Sequence, residues 1–151
     1  MKTLRFAVLG AGFWANFQIP AWLELEGVEL VAVADRTKSK ADELARKYRA
    51  PSTYDDVQKL LSTEKLDFVD IITDVDTHAP LAEAAAKKGI AVICQKPMAP
   101  TLSMAKHMVE VCQRNKVPFF IHENFRWQSP IRKMKSLLDS GVIGKVFKAR
   151  A

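Results

Sequence analysis

Gly10 and Gly12 lie two apart in the stretch GAGFWA, directly after the apolar run Phe6 to Leu9. Ala15 follows Gly12 by three positions. A second apolar run, Val28 to Ala34, ends on Asp35, about 20 residues past the glycines. Each position has a chemical use. Gly10 permits a sharp turn out of a strand, and Gly12, lacking Cβ, lets the backbone approach a pyrophosphate. The free N–H groups and dipole of the following helix favour the phosphate charge. Ala15 meets the remaining requirement, close packing of helix on strand, and Asp35 can accept hydrogen bonds from ribose hydroxyls. A glycine turn alone is weak evidence. With a strand before it, a helix after it and an acid ending the next strand, it reads as a dinucleotide site. Phe13 and Trp14 fall in the first turn and either wall that cleft or pack into the core.

The remaining candidates must be positioned by the rest of the chain. After Asp35-Arg36, Thr37 is a plausible cap for a helix whose stripe is Ala41, Leu44, Ala45 and Tyr48. A short helix carries Val57, Leu60 and Leu61. Phe68 to Ile72 reads as a buried strand ending on Thr73-Asp74. His78 to Lys88 is an alanine-rich helix stopped by Gly89. Ile90 to Cys94 is a strand ending on Gln95-Lys96-Pro97. Thr101 caps a helix with Leu102, Ala105, Val109 and Cys112 on one face. Val117 to Ile121 is a fifth strand, Pro130 to Ser140 a last helix, and Lys145 to Ala151 begins another strand. Pro20 predicts a kink or break near Phe17 to Pro20 in the first helix, which begins near Gly12.

Five strands separated by helices make an α/β chain, a Rossmann-type doubly wound parallel sheet with helices on both faces. Ligands bind such sheets outside the carboxyl ends of the strands. The polar residues Asp35, Thr73, Asp74, Gln95, Lys96, Asn124 and Arg126 collect at those ends.

The totals narrow the class. At 151 residues, 48% hydrophobic and 26% charged, the chain suits a soluble globular domain, and no apolar run approaches a membrane span. The start MKTLRF lacks a secretory h-region, so a cytoplasmic location is expected. Cys94 and Cys112 have neither metal nor redox spacing. The net charge of +6 is spread along helix faces such as Lys38, Lys40, Arg46 and Lys47, which argues against a nucleic-acid partner.

At Lys96 the chain becomes recognisable. The segments GAGFWA (10–15), VAD (33–35), THAPLAEAAAKKGIAVICQKP (77–97) and HENFRWQSP (122–130) resemble the N-terminal half of the glucose-fructose oxidoreductase/inositol dehydrogenase (Gfo/Idh/MocA) family. That resemblance implies an NAD(P)-dependent oxidoreductase acting on sugars or polyols. Lys96 inherits the role of the lysine in the family's Glu-Lys-Pro signature, reaching both cofactor and substrate hydroxyl. Gln95 replaces the usual glutamate, and Asp74 replaces the proline of the usual Thr-Pro. His78 matches a family histidine, with a capping or packing role as open to it as a cofactor contact. Asn124 and Arg126 match a segment near the nicotinamide end, or tie two domains together. The implied layout is a dinucleotide domain over 1–122 and a crossover segment over 123–151, leading into a C-terminal substrate domain that this chain lacks. The chain alone is then expected to bind cofactor, turn over poorly and self-associate through the face left uncovered. Asp35 favours NAD, since a 2′-phosphate would meet its carboxylate, while Arg36 and Lys38 leave NADP possible. A non-catalytic NAD-sensing module is the alternative.

Overall fold

The computed structural model describes residues 2–150. Six parallel strands run through it: β1 (Leu4–Leu9), β2 (Val28–Ala34), β3 (Ser52–Tyr54), β4 (Phe68–Ile71), β5 (Ala91–Gln95) and β6 (Phe119–His122). The helices between them are α1 (Ala15–Leu23), α2 (Lys38–Tyr48), α3 (Val57–Thr63), α4 (His78–Lys87) and α5 (Leu102–Arg114), and α6 (Ser129–Asp139) follows β6. The sheet order is β3-β2-β1-β4-β5-β6, so the chain reverses direction across the sheet between β1 and β4. A cleft at that reversal is where ligands bind in such sheets.

The core lies in two layers, one on each face of the sheet. Phe6, Val8, Leu30, Val33 and Phe68 pack with Ala15 and Ile19 of α1 and Ala41, Leu44 and Ala45 of α2. Leu9, Val31, Val69, Ile71 and Val92 pack with α3, α4 and α5 on the other face. Strands covered on both sides carry unbroken apolar runs for this reason.

Several expectations change. Among the described residues there are six strands rather than five. Ser52–Tyr54 has no apolar run to announce it and exists because β2 offers it an edge, with Ala32, Val33 and Ala34 in register with Ser52, Thr53 and Tyr54. Helix α1 starts at Ala15, not Gly12, and runs through Pro20 unbroken. The carbonyl of Asn16, which Pro20 cannot bond, accepts the Tyr48 hydroxyl at 3.1 Å instead. Thr37 caps nothing with its side chain; its N–H donates to Asp35. Thr101 does cap α5, accepting from the Met104 N–H at 3.2 Å, but Leu102 is exposed and the buried face of α5 is Met108, Val111 and Cys112. Residues 145–150 form no strand, and every side chain from 124 to 150 is exposed.

Candidate dinucleotide cleft

The turn after β1 is built around Gly10. Its N–H donates to the Ala34 carbonyl at 2.7 Å, joining the ends of β1 and β2. Its φ is +106°, and a Cβ there would sit 2.6 Å from the Ile72 carbonyl oxygen. Gly10 is therefore demanded by the fold. Gly12 is different: a Cβ would meet nothing within 4 Å. No atom of the chain requires glycine at 12, which fits a position kept bare for the approach of a phosphate.

Asp35 closes the turn from the side. Its Oδ2 accepts the Ala11 N–H at 2.8 Å and its Oδ1 the Thr37 N–H at 2.8 Å. The carboxylate is thus fixed at the end of β2, facing the glycine turn. These groups open on a cleft of about 430 Å³, lined among others by Gly10, Gly12, Phe13, Trp14, Asp35 and Arg36 from the β1–β2 side. Thr73 and Asp74, after β4, line the opposite side. Arg36 and Asp74 form an ion pair at 3.7 Å between the two sides.

A second, smaller hollow of about 180 Å³ lies beside it, lined by Trp14, Phe17, Gln18, Gln95, Lys96, His122 and Asn124. Trp14 is the wall common to both. Lys96 holds its Nζ 5.8 Å from the centre of the Trp14 ring, within cation–π range. Gln95 is nearly buried, and its Oε1 accepts the Lys96 N–H at 2.7 Å. The loss of the glutamate charge at this position leaves that backbone bond intact. The structure therefore gathers eight of the predicted residues round the glycine cleft and three more, Gln95, Lys96 and Asn124, beyond Trp14.

Two predicted residues fall elsewhere. His78 is 1% exposed. Its Nδ1 lies 3.1 Å from the Pro97 carbonyl and its Nε2 3.1 Å from the Thr73 carbonyl. It pins the loops after β4 and β5 together from beneath and presents no atom to the cleft. Arg126 lies against its neighbour Trp127, 5.3 Å from the ring, and lines neither hollow.

Other wall residues were not anticipated. Lys40, Asp55, Val57, Thr77 and Leu81 complete the first cleft. Lys40 reads as one of many helix-face cations, and Asp55 follows the strand that has no apolar run. Gln18 and His122 complete the second. Gln18 is buried with its Oε1 unpartnered, and the buried Nδ1 of His122 also lacks a partner among the described residues. Burial lowers the His122 pKa, which favours the neutral ring. Nearby, Asp70 is fully buried on β4 and accepts the Trp22 Nε1–H at 2.8 Å. Desolvation pushes its carboxyl up to about 7. Burial likewise pushes the Cys94 thiol up to about 12 and raises that of Cys112, so neither is a nucleophile.

A third hollow, about 660 Å³, lies over β5 and β6, with Trp22, Ile93, Phe120 and Trp127 on its walls. It is larger than the glycine cleft and reaches the end of β6 through His122, Glu123 and Asn124, but no residue of the glycine turn lines it. No group of three or more metal-ligating side chains occurs among the described residues, and none of the described helices is long and apolar enough to cross a membrane.

A reversed parallel sheet, a bare glycine turn on a helix start and an acid locked to that turn define a dinucleotide-binding α/β domain. The chain belongs to the Gfo/Idh/MocA family: residues 4–123 match the oxidoreductase family with an NAD-binding Rossmann fold. It is 40% identical over 150 residues to the D-apiose dehydrogenase of Rhizobium rhizogenes, covering 99% of this chain and 44% of that protein. It is 30% identical to the D-xylose 1-dehydrogenase [NADP(+)] of Haloarcula marismortui, covering 94% and 41%. Among solved structures it superposes, with a TM-score of 0.93 and 40% identity, on an oxidoreductase from Agrobacterium radiobacter in complex with NAD+, L-tartaric acid and magnesium, covering 97% of this chain and 43% of that one. The chain thus spans less than half the length of these relatives.

Proposed function

We propose that this chain is the cofactor-binding part of an NAD-linked oxidoreductase that moves hydride between nicotinamide and a hydroxyl-bearing carbon of a sugar or polyol. Residues 1–122 form the cofactor domain, and 123–151 cross over toward a substrate domain. The observation that carries the reading is the shared Trp14 wall, with the bare Gly12 turn on one side and Lys96 on the other. Pyrophosphate fits the first hollow, where the N–H groups at the start of α1 bind it. Asp35, already oriented by two backbone donors, takes the ribose hydroxyls. The nicotinamide, when bound, supplies the hydride acceptor.

Lys96 Nζ donates a hydrogen bond to the reacting hydroxyl oxygen and steadies negative charge developing there. It is the residue of this chain best placed to take part in proton movement at that oxygen. Gln95 fixes its backbone from behind. The names of the relatives, dehydrogenases of D-apiose and D-xylose, support a sugar substrate. The fixed Asp35 carboxylate supports NAD over NADP. Exposed apolar side chains such as Phe120, Trp127, Met134 and Phe147 support self-association.

The test has two parts. NAD+ titrated against this chain, followed by calorimetry, is expected to bind at one site. A longer form carrying this domain, assayed with D-apiose, D-xylose and myo-inositol, is expected to generate NADH. Absence of dinucleotide binding would overturn the cofactor reading. Binding without oxidation in the longer form would turn the reading toward an NAD-sensing module.

A further inference from the structure

Arg36 follows the ribose acid directly and is the cation nearest in sequence to the place a 2′-phosphate would occupy. It is not free. Its guanidinium lies 3.7 Å from the Asp74 carboxylate, and both side chains are more than four-fifths exposed. The two residues sit at the ends of β2 and β4, which are separated in the sheet by β1. The pair therefore spans the carboxyl end of β1, where the glycine turn lies, and both partners line the same cleft.

The charges round the cleft make the pair consequential. Its walls carry three carboxylates, Asp35, Asp55 and Asp74, against two cations, Arg36 and Lys40. Lys38, the other basic residue nearby, is committed to Asp42 and Thr53. Without Asp74 the carboxylates and cations are equal in number, and the guanidinium next to Asp35 loses its counter-charge. Arginine binds phosphate through paired, charge-assisted hydrogen bonds, so a released Arg36 suits a 2′-phosphate. An exposed ion pair contributes little to stability; its effect is on ligand choice.

We propose that Asp74 is a specificity-determining residue: it occupies Arg36 and sets the cleft for the dinucleotide without a 2′-phosphate. The inference rests on the reading of this cleft as the adenosine-ribose site.

The experiment is titration of NAD+ and NADP+ against the full chain, as wild type, Asp74→Asn and Arg36→Ala/Asp74→Asn. Asp74→Asn is expected to tighten NADP+ binding roughly five- to tenfold, the scale of a released charge-assisted contact in solvent. The effect is read as the ratio of the two affinities, so that any general effect of the substitution on the cleft cancels. Adding Arg36→Ala should abolish the gain. An NADP+/NAD+ ratio unmoved by Asp74→Asn overturns the proposal. So does a gain that survives Arg36→Ala, because general charge would then account for it. Binding of neither dinucleotide by the wild type overturns the cofactor reading, and the role of Asp74 with it.

Discussion

The Asp35 carboxylate accepts the Ala11 N–H at 2.8 Å, tying the end of β2 to the middle of the glycine turn. The same carboxylate holds the Thr37 N–H at 2.8 Å, at the entry to α2. The acid proposed to hold the ribose thus has a structural duty as well. Asp35→Ala should remove both bonds and destabilise the chain by about 1–3 kcal/mol, the range for hydrogen bonds to a charged group. It should also weaken NAD+ binding by more than tenfold. Urea unfolding and calorimetric titration measure the two effects separately. Unchanged stability would show that water replaces the carboxylate without loss.

Asp70 gives a pH dependence whose sign is fixed by its burial. Burial pushes its carboxyl up to about 7 in the folded chain, from 3.8 for the free group. Between those two pH values the folded state holds a proton that the unfolded state has released, so stability falls as pH rises. The contribution is complete below about 4 and gone above about 7. His122, whose pKa burial lowers, works in the opposite sense, raising stability as pH rises toward its unfolded value. The difference between wild type and Asp70→Asn isolates the carboxyl, and asparagine can still accept from Trp22 Nε1. Melting temperatures from pH 5 to 8 should show wild type losing ground on the variant as pH increases. Parallel curves would count against a neutral Asp70.

Lys96 should matter to chemistry and little to folding. Its Nζ lies 5.8 Å from the centre of the exposed Trp14 ring rather than in a buried pair. Lys96→Met keeps the stem and removes the charge. In this chain the variant should melt within about 1 kcal/mol of wild type and bind NAD+ within about threefold. In a longer form with a substrate domain, oxidation should fall by roughly 10²–10⁴, the usual range for a lost acid–base or electrostatic group. Turnover kept near wild type would move the proton-handling role to another residue.

Most of the cleft was legible because its parts are local and periodic. The Phe6 to Leu9 run, the glycines and the acid at the end of Val28 to Ala34 each announce themselves within one βαβ unit. What escaped is what the third dimension decides. Ser52–Tyr54 is a strand through pairing with β2, so Asp55 after it had no visible reason to be near Asp35. Gln18 and His122 line one hollow from α1 and β6, far apart in the chain. His78 looked equally suited to ligand and to packing, and only the carbonyls of Thr73 and Pro97 at its two nitrogens place it beneath the loops. Pro20 predicts a kink or a break in α1, but Tyr48, from another helix, caps the carbonyl it leaves free.

The two glycines of the turn should separate fold from binding. At Gly10 a Cβ would lie 2.6 Å from the Ile72 carbonyl oxygen and 2.8 Å from its carbon, with φ at +106°. Backbone atoms of a central strand end cannot move aside, and the conformation itself is strained for alanine. Gly10→Ala should cost about 2–4 kcal/mol and lower NAD+ affinity only in proportion to the chain that unfolds. At Gly12 the added methyl meets no atom of the chain, so Gly12→Ala should melt within about 0.5 kcal/mol of wild type. Under the proposed reading the methyl points into space that a pyrophosphate needs, and NAD+ binding should fall by at least tenfold. Thermal unfolding and titration of both variants, side by side, give the four values. If Gly12→Ala binds NAD+ as wild type does, the phosphates do not approach at Gly12, and the bare turn must be explained by some other feature of the fold.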